Sequence, residues 1–416
     1  MWKLLKIAGI TLCAIVLLIC LIAVWALARW NAPASRTAKE LKAPSDAATI
    51  ERGKFLFTYG HGCGGCHAGN YDLSSSPRGG IVFDLNTFDP QLGMFYSRNI
   101  TPDVETGIGS WTDGEIVRAL REGIRKDGTT LFPIMPMESL HGLSDKDALA
   151  IVAYLRTLTP VRNPVPERVP TFFTKVLMTL GVIGPMAEIE KPIATPKREP
   201  PALYGRYLAN HAALCMDCHT PRNLKDGAFY TDSLFAGSSF AFGAPEGDPT
   251  NVYAANITPD MATGIGAWTE EAFLAFMHTG AGPEGVVRDG HMPYAATSRW
   301  EEEDLKALWA YLRTVLPVRR AEPPRTFQAG ALSQDPPTLG KAMYTSYCTH
   351  CHGTEGRDGM AADLALAEAA PSLNDADVEQ TIRHGMGGTH MPGFDKTLSD
   401  AQIKALVVHV RSLGSK

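Results

Sequence analysis

The 416-residue chain has no cysteine to spare for structural disulfides. Of its 8 Cys, six fall in three Cys-x-x-Cys-His phrases and two, Cys13 and Cys20, in an apolar N-terminal stretch. A basic excess is also missing. Of the 39 Lys and Arg, Lys3, Lys6 and Arg29 lie in residues 1–30, so 36 remain against 44 acidic side chains, a body of about −8. Such a body, with no basic stripe or recognition motif, argues against nucleic acid. There is no disordered-tail signature either, since 20% charged and 45% hydrophobic residues are an ordinary globular balance. Strand signals are few and short, so the chain reads as all-α. Its length suits about three domains.

What is present in their place is one phrase used three times: Cys63-Gly-Gly-Cys66-His67, Cys215-Met-Asp-Cys218-His219 and Cys348-Thr-His-Cys351-His352. From 8 Cys and 12 His in 416 residues, about 0.004 occurrences are expected by chance. The phrase is the attachment signature of c-type haem: each thiol adds to a haem vinyl group, and the next residue sets an imidazole under the iron. A redox dithiol has no need of the following His, and a zinc ribbon pairs its dithiols about 15–20 residues apart. Here the gaps exceed a hundred residues, so three covalently bound haem c groups are favoured over these readings and over three disulfides.

Ile7 to Ala28 carries no charge. At 1.5 Å per residue its 22 residues span about 33 Å, enough for a bilayer's hydrocarbon core. A cleaved signal peptide has a shorter apolar region ending in small residues, and Ala26-Leu27-Ala28 or Ala32-Pro33-Ala34 offer such an end. The length favours an uncleaved transmembrane helix within residues 1–30. Cys13 and Cys20 read as apolar filler. Arg29, Arg36, Lys39 and Lys42 follow the span, so flanking charge does not orient it. Haem attachment of this kind resembles bacterial cytochrome maturation outside the cytoplasmic membrane, which places the body in the periplasm.

Residues 45–162 and 201–318 read as two copies of one design. Gly53 precedes Cys63 by ten residues, as Gly205 precedes Cys215. Asn99-Ile-Thr-Pro-Asp103 recurs as Asn256-Ile-Thr-Pro-Asp260, Thr106-Gly-Ile-Gly-Ser-Trp111 as Thr263-Gly-Ile-Gly-Ala-Trp268, and Ala153-Tyr-Leu-Arg156 as Ala310-Tyr-Leu-Arg313. Every one of these later pairs is offset by 157 positions, which means duplication. Residues 336–416 form a more compact third domain that lacks the Asn-Ile-Thr-Pro-Asp segment. Ser144–Asp147 and Ser399–Gln402 are capping boxes, the second opening a last helix to about Leu413. Residues 163–200 are a Pro-flanked linker, with 160–170 and 191–202 expected to be extended, and 319–335 are a second, Pro-bearing linker. Within the first, Val176 to Ala187 is too short to span a bilayer. It is expected to pack as a helix on a haem domain or partner, with the membrane surface as the alternative.

All three domains place Met-Pro a short loop before their final helix, at Met135, Met292 and Met391. A thioether is a common sixth ligand in electron-carrying cytochromes, so these are the expected partners of His67, His219 and His352. Met137 and Met386 are the runners-up in the first and third domains; the alternative is that methionine is core filler and that His291 or His390, which precede it in the second and third domains, binds iron. Trp111 and Trp268 suit core packing somewhat better than a propionate contact. Asn99 and Asn256 are expected to orient their loop, and His61 and His350 to face solvent.

These motifs resemble the multihaem c-type cytochromes of class I fold, such as the trihaem cytochrome subunits of bacterial membrane-bound alcohol, gluconate, sorbitol and fructose dehydrogenases. The resemblance covers nearly everything after residue 45. It implies three tandem class I domains after an N-terminal transmembrane helix. It also implies an electron-transfer protein, not an enzyme, that serves a flavin or molybdenum dehydrogenase and passes electrons toward quinone, a soluble cytochrome or a terminal oxidase. Two other readings stay open. One is a subunit or donor of a respiratory oxidase or quinol-oxidising complex. The other is a haem enzyme, a peroxidase or sulfur-compound dehydrogenase, for which His278, Glu138 and His141 would be the acid–base candidates.

Overall fold

In a computed structural model, the described residues are all but 1, 69–75, 88–90, 224–226, 240–252, 286–291, 321–334, 354, 358–360, 362, 365–373 and 414–416. Helices dominate them. The order is α1 Trp2–Arg29, α2 Ala47–Phe55, α3 Cys63–His67, α4 Asp113–Glu122, α5 Met137–His141, α6 Asp145–Thr157 and α7 Phe172–Thr179. It continues with α8 Pro201–Tyr207, α9 Cys215–His219, α10 Glu270–Thr279, α11 Tyr294–Thr297 and α12 Glu302–Leu312. The last are α13 Pro336–Tyr347, α14 Thr349–His352, α15 Asp375–His384 and α16 Asp400–Leu413. Three short strands, β1 Val82–Asp84, β2 Gly93–Tyr96 and β3 Val169–Pro170, form one antiparallel sheet in the order β1-β2-β3.

The chain divides into two compact units. One holds the described residues of Met1–Lys54, Cys66–Gly69 and Ser76–Ala194, the other those of Phe55–Gly65 and Thr195–Lys416. The segments expected as the second and third domains thus lie in the second unit.

One device recurs three times. Each segment's first helix crosses its last helix at a glycine, because any side chain there would collide with backbone. A Cβ on Gly53 would lie 1.8 Å from the Ala150 carbonyl oxygen, on Gly205 1.8 Å from that of Ala307, and on Gly340 2.1 Å from that of Ala405. In each case the side chain one turn further on, Tyr154, Tyr311 or His409, is met next at 3.0 Å. Close crossing lets the flanking side chains interlock. Around the third crossing Met343, Tyr344, Ile403 and Leu406 are buried almost completely. Each such aliphatic side chain contributes about 1.5–3 kcal/mol on leaving water.

The caps follow the sequence. The Ser399 hydroxyl accepts from Gln402 N (3.4 Å) while the Gln402 side-chain oxygen accepts from Ser399 N (2.8 Å). Ser144 accepts from Asp147 N (3.1 Å), but the Asp147 carboxylate takes the Arg52 guanidinium at 2.9 and 2.8 Å. Two capping boxes at Thr112–Glu115 and Asn374–Asp377 close α4 and α15 as well.

The segment 163–200 differs from expectation. It adds β3 to the sheet and then forms α7, which starts at the Thr171 cap (its hydroxyl accepting from Thr174 N at 3.3 Å), not at Val176. Beyond Gly181 (φ +74°) the chain straps back over the first unit. Met186 N donates to Glu122 O at 3.0 Å, and Asp145 and Ile193 exchange hydrogen bonds. The N-terminal arm lies alongside: Arg36 donates to Met186 O (2.6 Å) and Ala43 N to the Asp113 carboxylate (2.9 Å). Backbone partners of this kind leave no pattern in composition. Most of the second linker, 321–334, lies outside the described residues.

Candidate haem-attachment sites

A five-residue π-turn delivers the chain to each of the first two motifs, Leu56–Gly60 before α3 and Leu208–Ala212 before α9. The motif itself is a one-turn helix. Cysteines three apart therefore stand on one side of a turn, with the histidine next along it. All eight cysteines are unbridged. Burial pushes the Cys215 and Cys348 thiols up to about 12, so at neutral pH both are held as thiols.

The imidazoles are aimed by backbone. His67 Nδ1 lies 2.7 Å from Arg98 O and His219 Nδ1 lies 2.8 Å from Ala255 O. A carbonyl only accepts, so Nδ1 carries the proton and Nε2 is the lone-pair nitrogen in both rings. Burial shifts His67 further toward its neutral, ligating form. Each histidine's own carbonyl accepts from a left-handed glycine, Gly79 N at 2.7 Å (φ +73°) and Gly237 N at 2.8 Å (φ +92°).

The residue after each accepting carbonyl is the asparagine of the repeated segment. Asn99 accepts from Thr101 N and Oγ1 (3.0 and 2.8 Å) and donates to Thr106 Oγ1 and Val161 O (3.0 and 2.8 Å). Asn256 does the same with Thr258 (3.0 and 2.7 Å), Thr263 Oγ1 (3.0 Å) and Val318 O (2.7 Å). Both side chains use their full donor and acceptor capacity while buried. The repeated Asp and Thr close the same loop, and hydrogen bonds from Thr106 and Thr263 hold the Asp103 and Asp260 carboxyls below the usual carboxylate range. The Ala-Tyr-Leu-Arg motif serves this loop too. Arg156 donates to Ile108 O and Trp111 O (3.1 and 2.5 Å), Arg313 to Gly266 O (3.0 Å). The sequence signalled this pairing only as a repeated arginine.

Met135 and Met292 sit in matching inverse γ-turns. Pro136 (φ −73°, ψ 68°) and Pro293 (φ −78°, ψ 65°) let Met137 N reach Met135 O (2.7 Å) and Tyr294 N reach Met292 O (2.8 Å). Met391 is held differently. Its carbonyl accepts from Met386 N at 3.2 Å, and Gly385 (φ +71°) leaves room because a Cβ there would lie 2.4 Å from Met391 O. All three methionines are half-buried. Of the runners-up, Met137 is buried in the core and Met386 is exposed.

His61 departs from expectation. It is buried, its Nε2 2.9 Å from His211 O, because the π-turn folds it inward against the Leu208–Ala212 turn of the same unit. In the same unit Trp300 Nε1 donates to Tyr59 O (3.3 Å) and its ring lies tilted against Phe55 at 5.3 Å. Trp111 and Trp268 are half-buried, the latter edge-on to Phe276 at 5.1 Å. Of the acid–base candidates, His141 Nδ1 is bound to Arg121 O (3.0 Å) and His278 stacks on His390 at 5.1 Å. His291 and the His350 side chain lie outside what is described.

The donor set fits haem c: paired thiols on one turn, and imidazoles whose Nδ1 is fixed by backbone. Known proteins agree. The model of the cytochrome c family matches residues 50–159, and that of cytochrome c oxidase, cbb3-type, subunit III matches 335–410. A diheme cytochrome c-type protein of Cereibacter sphaeroides is 31% identical over 274 residues, 64% of this chain and 85% of its own. The chain belongs to the c-type cytochromes. These are electron-transfer proteins with covalently bound haem c. Over longer stretches this cytochrome is similar to the cytochrome c subunit of the quinone alcohol dehydrogenase of Komagataeibacter europaeus, 28% identical over 394 residues, 89% of this chain and 82% of the relative. It is likewise similar to the fructose dehydrogenase cytochrome subunit of Gluconobacter japonicus, 29% identical over 405 residues, 88% and 79% of the two chains.

Proposed function

We propose that the chain is a membrane-anchored, periplasmic cytochrome with three haem c groups, the electron-transfer arm of a membrane-bound dehydrogenase of flavin or molybdenum type. In this reading the pairs Cys63/Cys66, Cys215/Cys218 and Cys348/Cys351 hold the haems by thioether bonds. His67, His219 and His352 would supply an imidazole to each iron, and Met135, Met292 and Met391 a thioether. Bound haem c supplies a one-electron carrier, and a thioether ligand raises its potential. The chain's own residues orient the ligands: Arg98 O and Ala255 O fix the imidazole tautomer, and the Asn99 and Asn256 loops fix those carbonyls.

The observation that carries this reading is the threefold use of one frame, a glycine helix crossing before each Cys-x-x-Cys-His and a methionine turn before each last helix. A glycine crossing and a Met-Pro pair used three times suit a series of carriers. The dehydrogenase comes from the named relatives, and the acceptor is quinone, a soluble cytochrome or a terminal oxidase. Because residues 335–410 match a cbb3 oxidase subunit, an oxidase complex is the second reading.

The test is purification of the tagged chain in mild detergent, with stoichiometric companions identified by mass spectrometry. A large flavin- or molybdenum-containing companion is expected. Oxidase subunits would establish the second reading, and a high-spin, ligand-accessible haem would contradict the carrier role.

A further inference from the structure

The helix α7 is left over from the haem sites. Its buried side is narrow: Thr174 and Met178 face the first unit, with Thr174 Oγ1 donating to Leu92 O at 2.8 Å. At 100° per residue, Phe172, Phe173, Val176 and Leu180 fall on the opposite side. Phe172, Phe173 and Leu180 are about half exposed, and Val182 just beyond is 66% exposed. Between 172 and 183 the single charge is Lys175. Large apolar residues bunched on one exposed face call for a partner.

The neighbour on the helix's remaining side identifies that partner. Thr179 Oγ1 donates to Ala26 O of α1 at 3.1 Å, and Ala26 is fully buried by the contact although its helix is otherwise open. The apolar span of α1 runs Gly9–Arg29, so the contact lies three residues, about 4.5 Å, inside its end. Lys175 and Arg168 stack on Trp30 at 5.4 and 5.2 Å, and Arg168 also donates to Asn31 and to Thr130 O. An aromatic ring with cations at the end of an apolar span marks the headgroup layer.

We propose that α7 lies in the interfacial layer of the bilayer, its Phe172–Leu180 face sunk among lipids beside the end of α1. Lipid then covers the exposed face. This second contact is braced by β3 in the sheet, and it holds the first haem unit at a fixed orientation to the membrane. The inference rests on the reading of α1 as a retained anchor.

The test uses the full-length holoprotein in lipid nanodiscs with a photo-reactive diazirine residue at Phe173 or Leu180, and at exposed Val104 as reference. Lipid adducts at 173 and 180 are expected at ten or more times the Val104 level. The pair Phe172→Glu and Phe173→Glu should lower adducts at 180 several-fold while haem content stays unchanged. Adducts at 180 no higher than at 104, or adducts to a polypeptide, overturn the proposal. Intact mass reads the anchor separately: loss of residues 1–30 defeats the anchor reading and the inference together, whereas retention with background adducts defeats the inference alone.

Discussion

The first two cytochrome segments share a frame and differ in its filling. Both fix the histidine on a carbonyl, exhaust one asparagine and cross helices at a glycine. Around that frame the first segment is fastened by charge: Arg52 to Asp147, Arg121 to Asp145 (2.6 Å) and Arg156 to Asp113 (2.9 Å). The positions matching Arg52 and Arg121 in the second are Tyr204 and His278. Its filling is aromatic instead, with Trp268, Phe276 and Tyr294 packed edge to face in series, where the first segment has Trp111, Ala119 and Met137. The difference follows what each segment must hold. The first carries the N-terminal arm and the 186–193 strap, both bound through backbone groups that charges can reach. The second is packed against aromatic Phe55 and Tyr59 through Trp300.

The comparison can be broken from its shared part outward. Gly53→Val and Gly205→Val should be the most damaging changes, since each forces a side chain onto a carbonyl and separates the crossing helices. A cost of about 3 kcal/mol or more is expected, read as the loss of one haem per chain. Asn99→Ala and Asn256→Ala should be equal to one another, at about 2–4 kcal/mol, because each strands buried partners; thermal denaturation checks this. If only one copy suffers, the shared frame is wrong.

Other changes sharpen the difference. Asp147→Asn should cost about 3 kcal/mol by leaving the Arg52 charge without its buried partner. Asp304→Asn should cost about 1 kcal/mol or less, because the Arg198 side chain that meets it at 3.0 Å is 51% exposed. Chemical denaturation of the two variants should separate them. Glu105→Gln, at an exposed pair with Arg162, should leave the denaturation midpoint unchanged. On acidification the two loops should behave alike. The Asp103 and Asp260 carboxyls are depressed in the folded state, so their contribution is present above the unfolded value of about 3.9 and lost as pH falls through the lower folded one. Haem spectra should therefore hold steady down to about pH 4.

Much of the frame was legible because it is written in residue identity. Three Cys-x-x-Cys-His phrases, a 157-residue offset and the Ser399–Gln402 cap each map to one structural device. The asparagine network was legible as a repeat, though not as the support of the histidine carbonyl. Features that depend on backbone meeting backbone were not readable. The β1-β2-β3 sheet rests on strands of two to four residues, the π-turns carry no signature, and burial of His61 needs the Leu208–Ala212 turn beside it. The start of α7 was not readable because Thr171 caps it directly after Pro170, ahead of the apolar run at 176–187.

Peptide-resolved mass spectrometry of the mature full-length chain tests the central claim most directly. The account predicts a haem on each of the peptides bearing Cys63/Cys66, Cys215/Cys218 and Cys348/Cys351. Any of the three pairs found unmodified, or joined as a disulfide, would contradict it.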